Sequence, residues 1–183
     1  MRTIIGLTGA SGSAFGVELL RRCPGEKFLI LTKWGRYVLK EETGLTEHHL
    51  AEHVKRGFSD DDLAAPFASG SNPFDALVIL PCSITTMAKI ACGIGDTLLT
   101  RTAQVALKER RKMVLVVRET PLSTIALEQA HRLSQAGVII MPLAPPLYHR
   151  PHTIDEMVSQ FADKVLGVLG YETQLAWKPE ALE

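Results

Sequence analysis

The sequence lacks the features that mark membrane proteins and disulfide-stabilised secreted proteins. Its three cysteines are odd in number and form no CxxC pair, so neither a disulfide framework nor a zinc ribbon is indicated, and a reducing cytoplasm is expected. The longest mostly apolar stretch, residues 136–148, contains three prolines and is shorter than the ~20 residues of a membrane-spanning helix. The formal net charge is zero, so no bulk charge attracts nucleic acid or anionic lipid.

What the chain does contain is an alternation of short β-branched apolar runs with longer amphipathic segments. The apolar runs predict strands at Thr3–Thr8, Lys27–Thr32, Ala76–Leu80, Met113–Val117 and Val138–Met141. Helical spacing predicts helices at Gly12–Arg22, Trp34–Glu42, Ser83–Cys92, Thr100–Arg110, Leu122–Gln135 and Thr153–Leu169. Residues 43–74 are less regular, with a short helix expected near Glu47–Lys55.

This alternation predicts an α/β fold, a parallel sheet with helices on both faces. A chain of 183 residues fits one domain, so we expect a single domain over residues 1–183 with a C-terminal tail at 171–183. In such sheets ligands bind beyond the carboxyl ends of the strands, where the strand order reverses. Residues that follow each strand therefore carry the functional information.

The loop after the first strand contains Gly9, Ala10, Ser11 and Gly12. Its glycines allow close approach of a ligand, and free amides at the following helix start would favour an anion. A tight turn capped by serine explains the same residues equally well. The loop does not have GxGxxG spacing, and the second strand ends at Thr32-Lys33 without an acid for a ribose, which argues against NAD and leaves NADP as a weak option.

The loop after the third predicted strand holds the hydroxyl groups of Ser83, Thr85 and Thr86, with Ile84 between them. Hydroxyl groups and unpaired amides at a helix start suit a phosphate ester, although ordinary capping by Ser83 would also require a serine there. Cys82 lies at the same helix start, where a thiol could be activated, but no base is identifiable nearby, and a packed residue is the favoured interpretation.

The next strand ends at Arg118 and Glu119, an ion pair or a functional pair. Arg is a strong phosphate binder, and a carboxyl beside a bound phosphate is a candidate general acid because the like charge favours its protonated form. Glu42 ends a helix, where the dipole disfavours a carboxylate, so it is either functional or solvated.

Two further patterns have simpler explanations. The spacing of His49 and His53 resembles that of metal ligands, but the sequence implies no third ligand, so no metal is expected. The acidic run Asp60–Asp62 lacks the DDxxD spacing that binds magnesium diphosphates, and a solvated turn is expected there.

Taken together, the motifs resemble the UbiX-like flavin prenyltransferases, formerly described as aromatic-acid decarboxylases. The similarity runs from about residue 3 to Trp177, and any single motif is weak whereas the ordered set is strong. The motifs are Gly9-Ala10-Ser11-Gly12, Thr32-Lys33-Trp34, Ala68-Ser69-Gly70-Ser71, Pro81-Cys82-Ser83-x2-Thr86, Arg101-x6-Lys108-Glu109-Arg110-Arg111, Val117-Arg118-Glu119-Thr120-Pro121-Leu122 and Tyr148-His149-Arg150-Pro151.

The resemblance implies a flavodoxin-like or Rossmann-like fold and two anion sites. An FMN site is implied at Gly9, Ala10, Ser11, Thr32, Ser83, Ile84, Thr85, Thr86 and Arg118. A site for dimethylallyl phosphate is implied at Arg101, Lys108, Tyr148 and Lys164. Lys164 stands where the family usually has Arg, so the charge is kept but the bidentate fork is lost.

The resemblance also implies a reaction without a metal, in which a dimethylallyl group is transferred to N5 and then C6 of reduced FMN. Glu119 would protonate the leaving phosphate, and Ser11 and Glu42 would move protons near N5. The product, prenylated FMN, would serve a UbiD-type decarboxylase. The resemblance also implies a cytoplasmic homo-oligomer, commonly a dodecamer in this family, with active sites between subunits. The alternatives are an FMN-dependent cysteine-type decarboxylase of the same fold and a non-catalytic FMN carrier.

Overall fold

Six parallel strands form one sheet in the computed structural model, which describes residues 1–173. The strands are β1 (Arg2–Leu7), β2 (Glu26–Leu31), β3 (Arg56–Ser59), β4 (Ala76–Cys82), β5 (Lys112–Val117) and β6 (Ile139–Pro142). Their order is β3-β2-β1-β4-β5-β6, so the direction of winding reverses between β1 and β4. The expected flavodoxin-like or Rossmann-like sheet is confirmed, and this strand order is the one of Rossmann sheets.

Seven α-helices cover both faces of this sheet in the described part of the chain. They are α1 (Ser13–Arg22), α2 (Lys33–Thr43), α3 (Glu47–Leu50), α4 (Ile84–Ala91), α5 (Leu98–Lys108), α6 (Thr124–Gln135) and α7 (Ile154–Leu169). Neighbouring residues of β1 serve opposite faces: Ile4 packs into the core that contains Leu99 of α5, and Ile5 into the core that contains Phe161 of α7. Burial on both faces explains why the strands are continuous apolar runs.

The edge strand β3 was missed by the sequence analysis, which treated residues 43–74 as irregular. Of its four residues only Phe58 is buried, so the segment has no apolar run and no clear alternation. Its pairing with β2, in which Phe28 is opposite Arg56, is a tertiary contact. The short helix expected near Glu47–Lys55 is present as α3 followed by a 3-10 turn at Ala51–His53.

The chain continues beyond α7 into the predicted C-terminal tail. Of that tail the structure describes residues 171–173, and the predicted motif residue Trp177 lies outside the described residues. No helix within residues 1–173 has the length and apolar composition that crossing a membrane requires.

Candidate active site

A cleft opens at the carboxyl edge of the sheet, at the point where the strand order reverses. Its volume is about 390 Å³, within the range of small-molecule sites. The lining residues follow four different strands, which is the arrangement expected of ligand sites in doubly wound sheets. Of the residues implied for FMN, Gly9, Thr32, Ser83, Thr85 and Thr86 line this cleft, and so do Lys33, Trp34, Asp60 and Asp61.

Thr8 joins the two loops that form the floor of this cleft. Its hydroxyl donates to the carbonyl of Pro81 at 2.8 Å and accepts from the backbone N–H of Ser83 at 2.8 Å. Its own backbone N–H donates to the same Pro81 carbonyl at 3.2 Å. The loops after β1 and β4 are therefore held together by one buried threonine. Sequence reasoning placed Thr8 at the end of a strand but did not recognise this role, because it depends on a partner 73 residues away.

The start of α4 offers both a cap and free amides. Ser83 Oγ accepts from the N–H of Thr86 at 3.3 Å, so the ordinary capping role is present. Helix geometry leaves the N–H groups of Ile84 and Thr85 without an intrahelical acceptor. Thr85 is exposed and lines the cleft. A phosphate placed here would find two amides and several hydroxyl groups.

The start of α1 differs from the expectation that its amides are free. The N–H groups of Gly12 and Ser13 donate to Glu42 Oε2 at 2.9 and 2.8 Å. The anion at this helix start is therefore a carboxylate of the chain itself. Glu42 lies in the last turn of α2, where that helix's own dipole disfavours a carboxylate, but its side chain is placed at the start of α1, where the dipole favours negative charge.

Glu42 is an ionised base at neutral pH. Partial burial raises the pKa of its carboxyl, but hydrogen bonds from the Ser11 hydroxyl and from the N–H groups of Ser13 and Gly12 outweigh burial, so the pKa lies below its usual value. The ionised carboxylate is hydrogen-bonded to the Ser11 hydroxyl and can accept a proton at the carboxyl edge of the sheet, and its lowered pKa makes it a weaker base than an ordinary glutamate.

Gly9 and Thr32 shape the side of the cleft that faces α2. A Cβ on Gly9 would lie 2.4 Å from Cβ of Trp34, so a larger residue does not fit there. Thr32 caps α2, since its Oγ1 accepts from the N–H of Gly35 at 3.0 Å. Ala10, the residue between Gly9 and Ser11, is buried.

Arg118 and Glu119 follow β5 and lie beside the loop that starts α4. The N–H of Arg118 donates to the carbonyl of Cys82 at 3.2 Å, and Glu119 Oε1 accepts from the N–H of Thr120 at 3.0 Å. Both side chains are exposed at the carboxyl edge. Burial raises the pKa of the Cys82 thiol to about 12, which agrees with a packed residue and not with a nucleophile.

The cations predicted to bind the donor phosphate are not gathered in one chain. Tyr148 lies in the loop after β6, at the carboxyl edge, whereas Lys108 ends α5 at the opposite edge and pairs with Glu109. The six residues of β5 separate the two edges by about 20 Å. Lys164 is exposed in the second half of α7, and Arg101 Nε donates to the carbonyl of Ala68 at 3.0 Å.

The structure explains the paired histidines and the acidic run noted in the sequence. His49 Nδ1 accepts from the N–H of Thr46 at 3.1 Å and completes a capping box at α3. Within residues 1–173 no group of three or more His, Cys, Asp or Glu side chains is arranged to hold a metal ion. The expectation of a solvated turn at Asp60–Asp62 is wrong for Asp60, which is buried in the cleft because its side chain accepts from the N–H of Leu99.

Comparison with known proteins gives a consistent result over nearly the whole chain. The Flavoprotein family model matches residues 1–166. The flavin prenyltransferase UbiX of Thermoplasma acidophilum is 41% identical over 176 residues, which cover 96% of this chain and 98% of the relative.

Two solved structures share this fold over nearly the full length of both chains. The dodecameric FMN-dependent UbiX-like decarboxylase of Escherichia coli O157:H7 has a TM-score of 0.93 at 40% identity and covers 97% of this chain and 99% of its own. AnUbiX in complex with FMN and dimethylallyl pyrophosphate has a TM-score of 0.91 at 34% identity and covers 97% of this chain and 98% of its own.

Proposed function

We propose that this chain, which belongs to the UbiX-like flavin prenyltransferases of the Flavoprotein family, transfers a dimethylallyl group from dimethylallyl phosphate to reduced FMN. The observation that carries the proposal is the cleft at the point where strand order reverses, which has the helix starts that a flavin phosphate requires. The bond from the dimethylallyl carbon to the phosphate oxygen breaks, and bonds form to flavin N5 and C6. N5 and C6 each lose a proton, and the leaving phosphate and the alkene each gain one.

The residues around the cleft fit FMN. Gly9 lines the cleft without a side chain, because Trp34 Cβ lies 2.4 Å from where a Cβ would stand, so the backbone at this position stays bare toward a flat ligand. The amides of Ile84 and Thr85 are available to a phosphate, whereas those at the start of α1 are already bonded to Glu42. FMN would be held by Gly9, Ala10, Ser11, Thr32, Ser83, Ile84, Thr85, Thr86 and Arg118.

Three side chains are proposed to move protons. Glu119 is exposed beside Arg118, and there it can donate a proton to the leaving phosphate while Arg118 offsets negative charge. Ser11 and the ionised Glu42 form a hydrogen-bonded pair that can accept the protons released from the flavin. The site thus separates the proton donor from the proton acceptor on two different loops.

The donor-phosphate site is proposed to form between copies of the chain. Lys108 and Lys164 lie away from the edge that carries Tyr148, so one chain alone does not place them around one phosphate. A neighbouring copy could supply Lys108, Arg101 and Lys164. The dodecameric assembly of the E. coli relative supports this arrangement, and exposed apolar residues such as Ile125, 66% accessible, and Ile154, 74% accessible, provide surface for contacts between copies. We expect a homo-oligomer, and a dodecamer as its form.

The product would be prenylated FMN, released to a UbiD-type decarboxylase, and the enzyme would act in the cytoplasm. An FMN-dependent cysteine-type decarboxylase is disfavoured because enzymes of that class use a Pro-Ala-Ser-Ala-Asn-type loop, whereas the matching loop here reads Phe67-Ala68-Ser69-Gly70-Ser71. A passive FMN carrier would not need the cations beyond those for one phosphate.

The decisive experiment is anaerobic incubation of the protein with reduced FMN and dimethylallyl phosphate, followed by mass analysis of the flavin. We expect a flavin heavier by one C5H8 unit, together with released phosphate. The matched control omits the donor, and a second control replaces it with dimethylallyl alcohol, which lacks the leaving phosphate. Unchanged flavin in the complete mixture, with FMN shown to be bound, would refute the transferase proposal and leave the carrier.

A further inference from the structure

A buried acid that the proposed reaction does not use lies at the end of β3. Asp60 is 8% exposed and lines the same cleft as Ser83 and Thr85. Its backbone carbonyl accepts from the N–H of Leu98 at 2.7 Å, and its Oδ1 accepts from the N–H of Leu99 at 2.8 Å. Asp60 therefore fastens the start of α5 to the end of β3.

The fastened segment is a wall of the cleft. Thr97, Leu99 and Thr100 all line the cavity. The side chain of Leu99 lies directly against β1, since a Cβ on Gly6 would be 2.6 Å from Leu99 Cδ1. Because Leu99 is held by an acceptor oxygen of Asp60, the position of this wall depends on the residue at position 60.

The surroundings of Asp60 disfavour its negative charge. Burial is the largest influence and raises the pKa of the Asp60 carboxyl above its usual value, and the nearby charges of Asp61 and Asp96 raise it further. Hydrogen bonds from Leu99 N–H and from the Thr97 side chain act in the opposite direction and are weaker in sum. The carboxyl therefore takes up a proton more readily than an exposed aspartate.

The two lysines that line the cleft have other interactions. Lys89 Nζ lies 2.7 Å from a carboxylate oxygen of Asp96, and Lys33 Nζ lies 5.6 Å from the centroid of the Trp34 ring. Neither pairs with Asp60. A flavin phosphate bound at the start of α4 would therefore share one cleft with an acid that has no cationic partner within residues 1–173.

We propose that Asp60 is a positioning residue of the FMN cleft, which holds α5 through an acceptor oxygen and limits the binding of the flavin phosphate through its charge. FMN affinity then falls as Asp60 ionises. The inference rests on the proposed FMN site and adds a residue and a pH dependence to it. The protonated carboxyl keeps an acceptor oxygen for Leu99 N–H but has no charge to oppose the phosphate, and an amide at position 60 has both properties at every pH.

The test compares dissociation constants for FMN and for riboflavin, which lacks the phosphate, measured by flavin fluorescence from about pH 5 to about pH 8.5. The variants are Asp60→Asn, Asp60→Ala and the matched control Asp62→Asn, which removes an exposed charge from the same acidic run. The phosphate of FMN itself titrates at about pH 6, so the quantity compared is the ratio of the dissociation constant of each variant to that of wild type at the same pH.

We expect Asp60→Asn to bind FMN about 3- to 10-fold more tightly than wild type at the upper end of this range, and the difference to shrink as the pH falls. Its affinity for riboflavin should match that of wild type. Asp60→Ala should weaken the binding of both flavins, because Leu99 N–H loses its acceptor, and Asp62→Asn should match wild type throughout.

A ratio of one at every pH, an equal gain for riboflavin, or an Asn variant that does not fold would each overturn the inference. The last result would show that the charge itself is needed to hold α5. Wild-type protein that binds riboflavin and FMN at no pH would instead remove the FMN site, and this inference with it.

Discussion

The loops at the carboxyl edge of the sheet form a site within one chain, whereas the cations expected to bind the donor phosphate are spread over the molecule. At the carboxyl edge Thr8 links the loops after β1 and β4, and Glu42 fills the start of α1. At the other edge Lys108 pairs with its neighbour Glu109, and Lys164 lies exposed on α7.

The difference indicates that the flavin cleft is formed within one chain, whereas the donor-phosphate site is formed between chains. The flavin cleft depends on the fold of the single chain, since its residues follow neighbouring strands. The donor site depends on how copies of the chain meet, since a lysine at the opposite edge of the sheet, about 20 Å from the carboxyl edge, cannot reach Tyr148 by changing its rotamer. Substitutions in the flavin cleft should change FMN binding, and substitutions in the donor site should change donor binding alone.

The largest expected effect is on the chemical step at the carboxyl edge. Glu119→Gln should keep FMN affinity but slow phosphate release in a single turnover by roughly 10²–10⁴-fold, the usual contribution of a general acid. The amide preserves the acceptor for Thr120 N–H but has no proton to donate. Release at the wild-type rate would show that the proton comes from another group.

A smaller but more diagnostic effect is expected for Lys108→Ala. Loss of one hydrogen bond to a charged phosphate is worth about 1.5–3 kcal/mol, so the KM for dimethylallyl phosphate should rise about 10- to 100-fold while FMN affinity stays unchanged.

Mixed oligomers test this comparison of the flavin cleft with the donor site directly. Lys108→Ala and Ser11→Ala, each inactive or weak alone, should regain activity when they are unfolded and refolded together, because some sites then combine an intact Ser11 with an intact Lys108 from another copy. A mixture that is no more active than its components would place both residues in the same chain's site and break the comparison.

Much of the fold follows from local sequence, and the exceptions are non-local. All five predicted strands are apolar runs, and four of them, β1, β2, β4 and β5, are largely buried on both faces, which makes them visible in the sequence. The short edge strand around Phe58 has one buried residue, and it exists because β2 offers an open edge.

The same distinction applies to the candidate site. Ser83 and Thr32 could be identified because a hydroxyl after a strand is a local signal, and both cap helices. The partnership of Glu42 with the start of α1 joins residues about 30 positions apart, and the burial of Asp60 depends on Leu99. No spacing rule contains those contacts, so an acidic run looked like a solvated turn.

At the donor site, Lys164 allows a graded test. Lys164→Arg should strengthen donor binding by about 2- to 10-fold without changing FMN affinity, because a planar fork can hold two phosphate oxygens where an ammonium presents a point charge. The measurement is the apparent KM for dimethylallyl phosphate in wild type, Lys164→Arg and Lys164→Ala. If the Ala variant matches wild type, Lys164 is not a phosphate ligand.

The smallest expected effect is on the free energy of unfolding and concerns Glu42, at the carboxyl edge of the sheet. Hydrogen bonds hold the folded-state pKa of Glu42 below its usual value, so its contribution is fully present above the unfolded pKa and is lost as pH falls through the folded pKa. Glu42→Gln keeps an acceptor for the amides of Gly12 and Ser13 but removes the charge at a helix start, which costs about 0.3–1 kcal/mol for a partly exposed group.

Urea unfolding of wild type and Glu42→Gln, at neutral pH and at a pH below the ordinary range of a glutamate, measures this difference. The variant should be less stable at neutral pH, and the two proteins should converge in acid, where Glu42 is protonated in both the folded and the unfolded state. Because both bonded groups belong to one chain, the difference should not depend on protein concentration. A difference that grows as the oligomer forms would mean that Glu42 acts at a contact between copies, and the cleft would then be no more self-contained than the donor site.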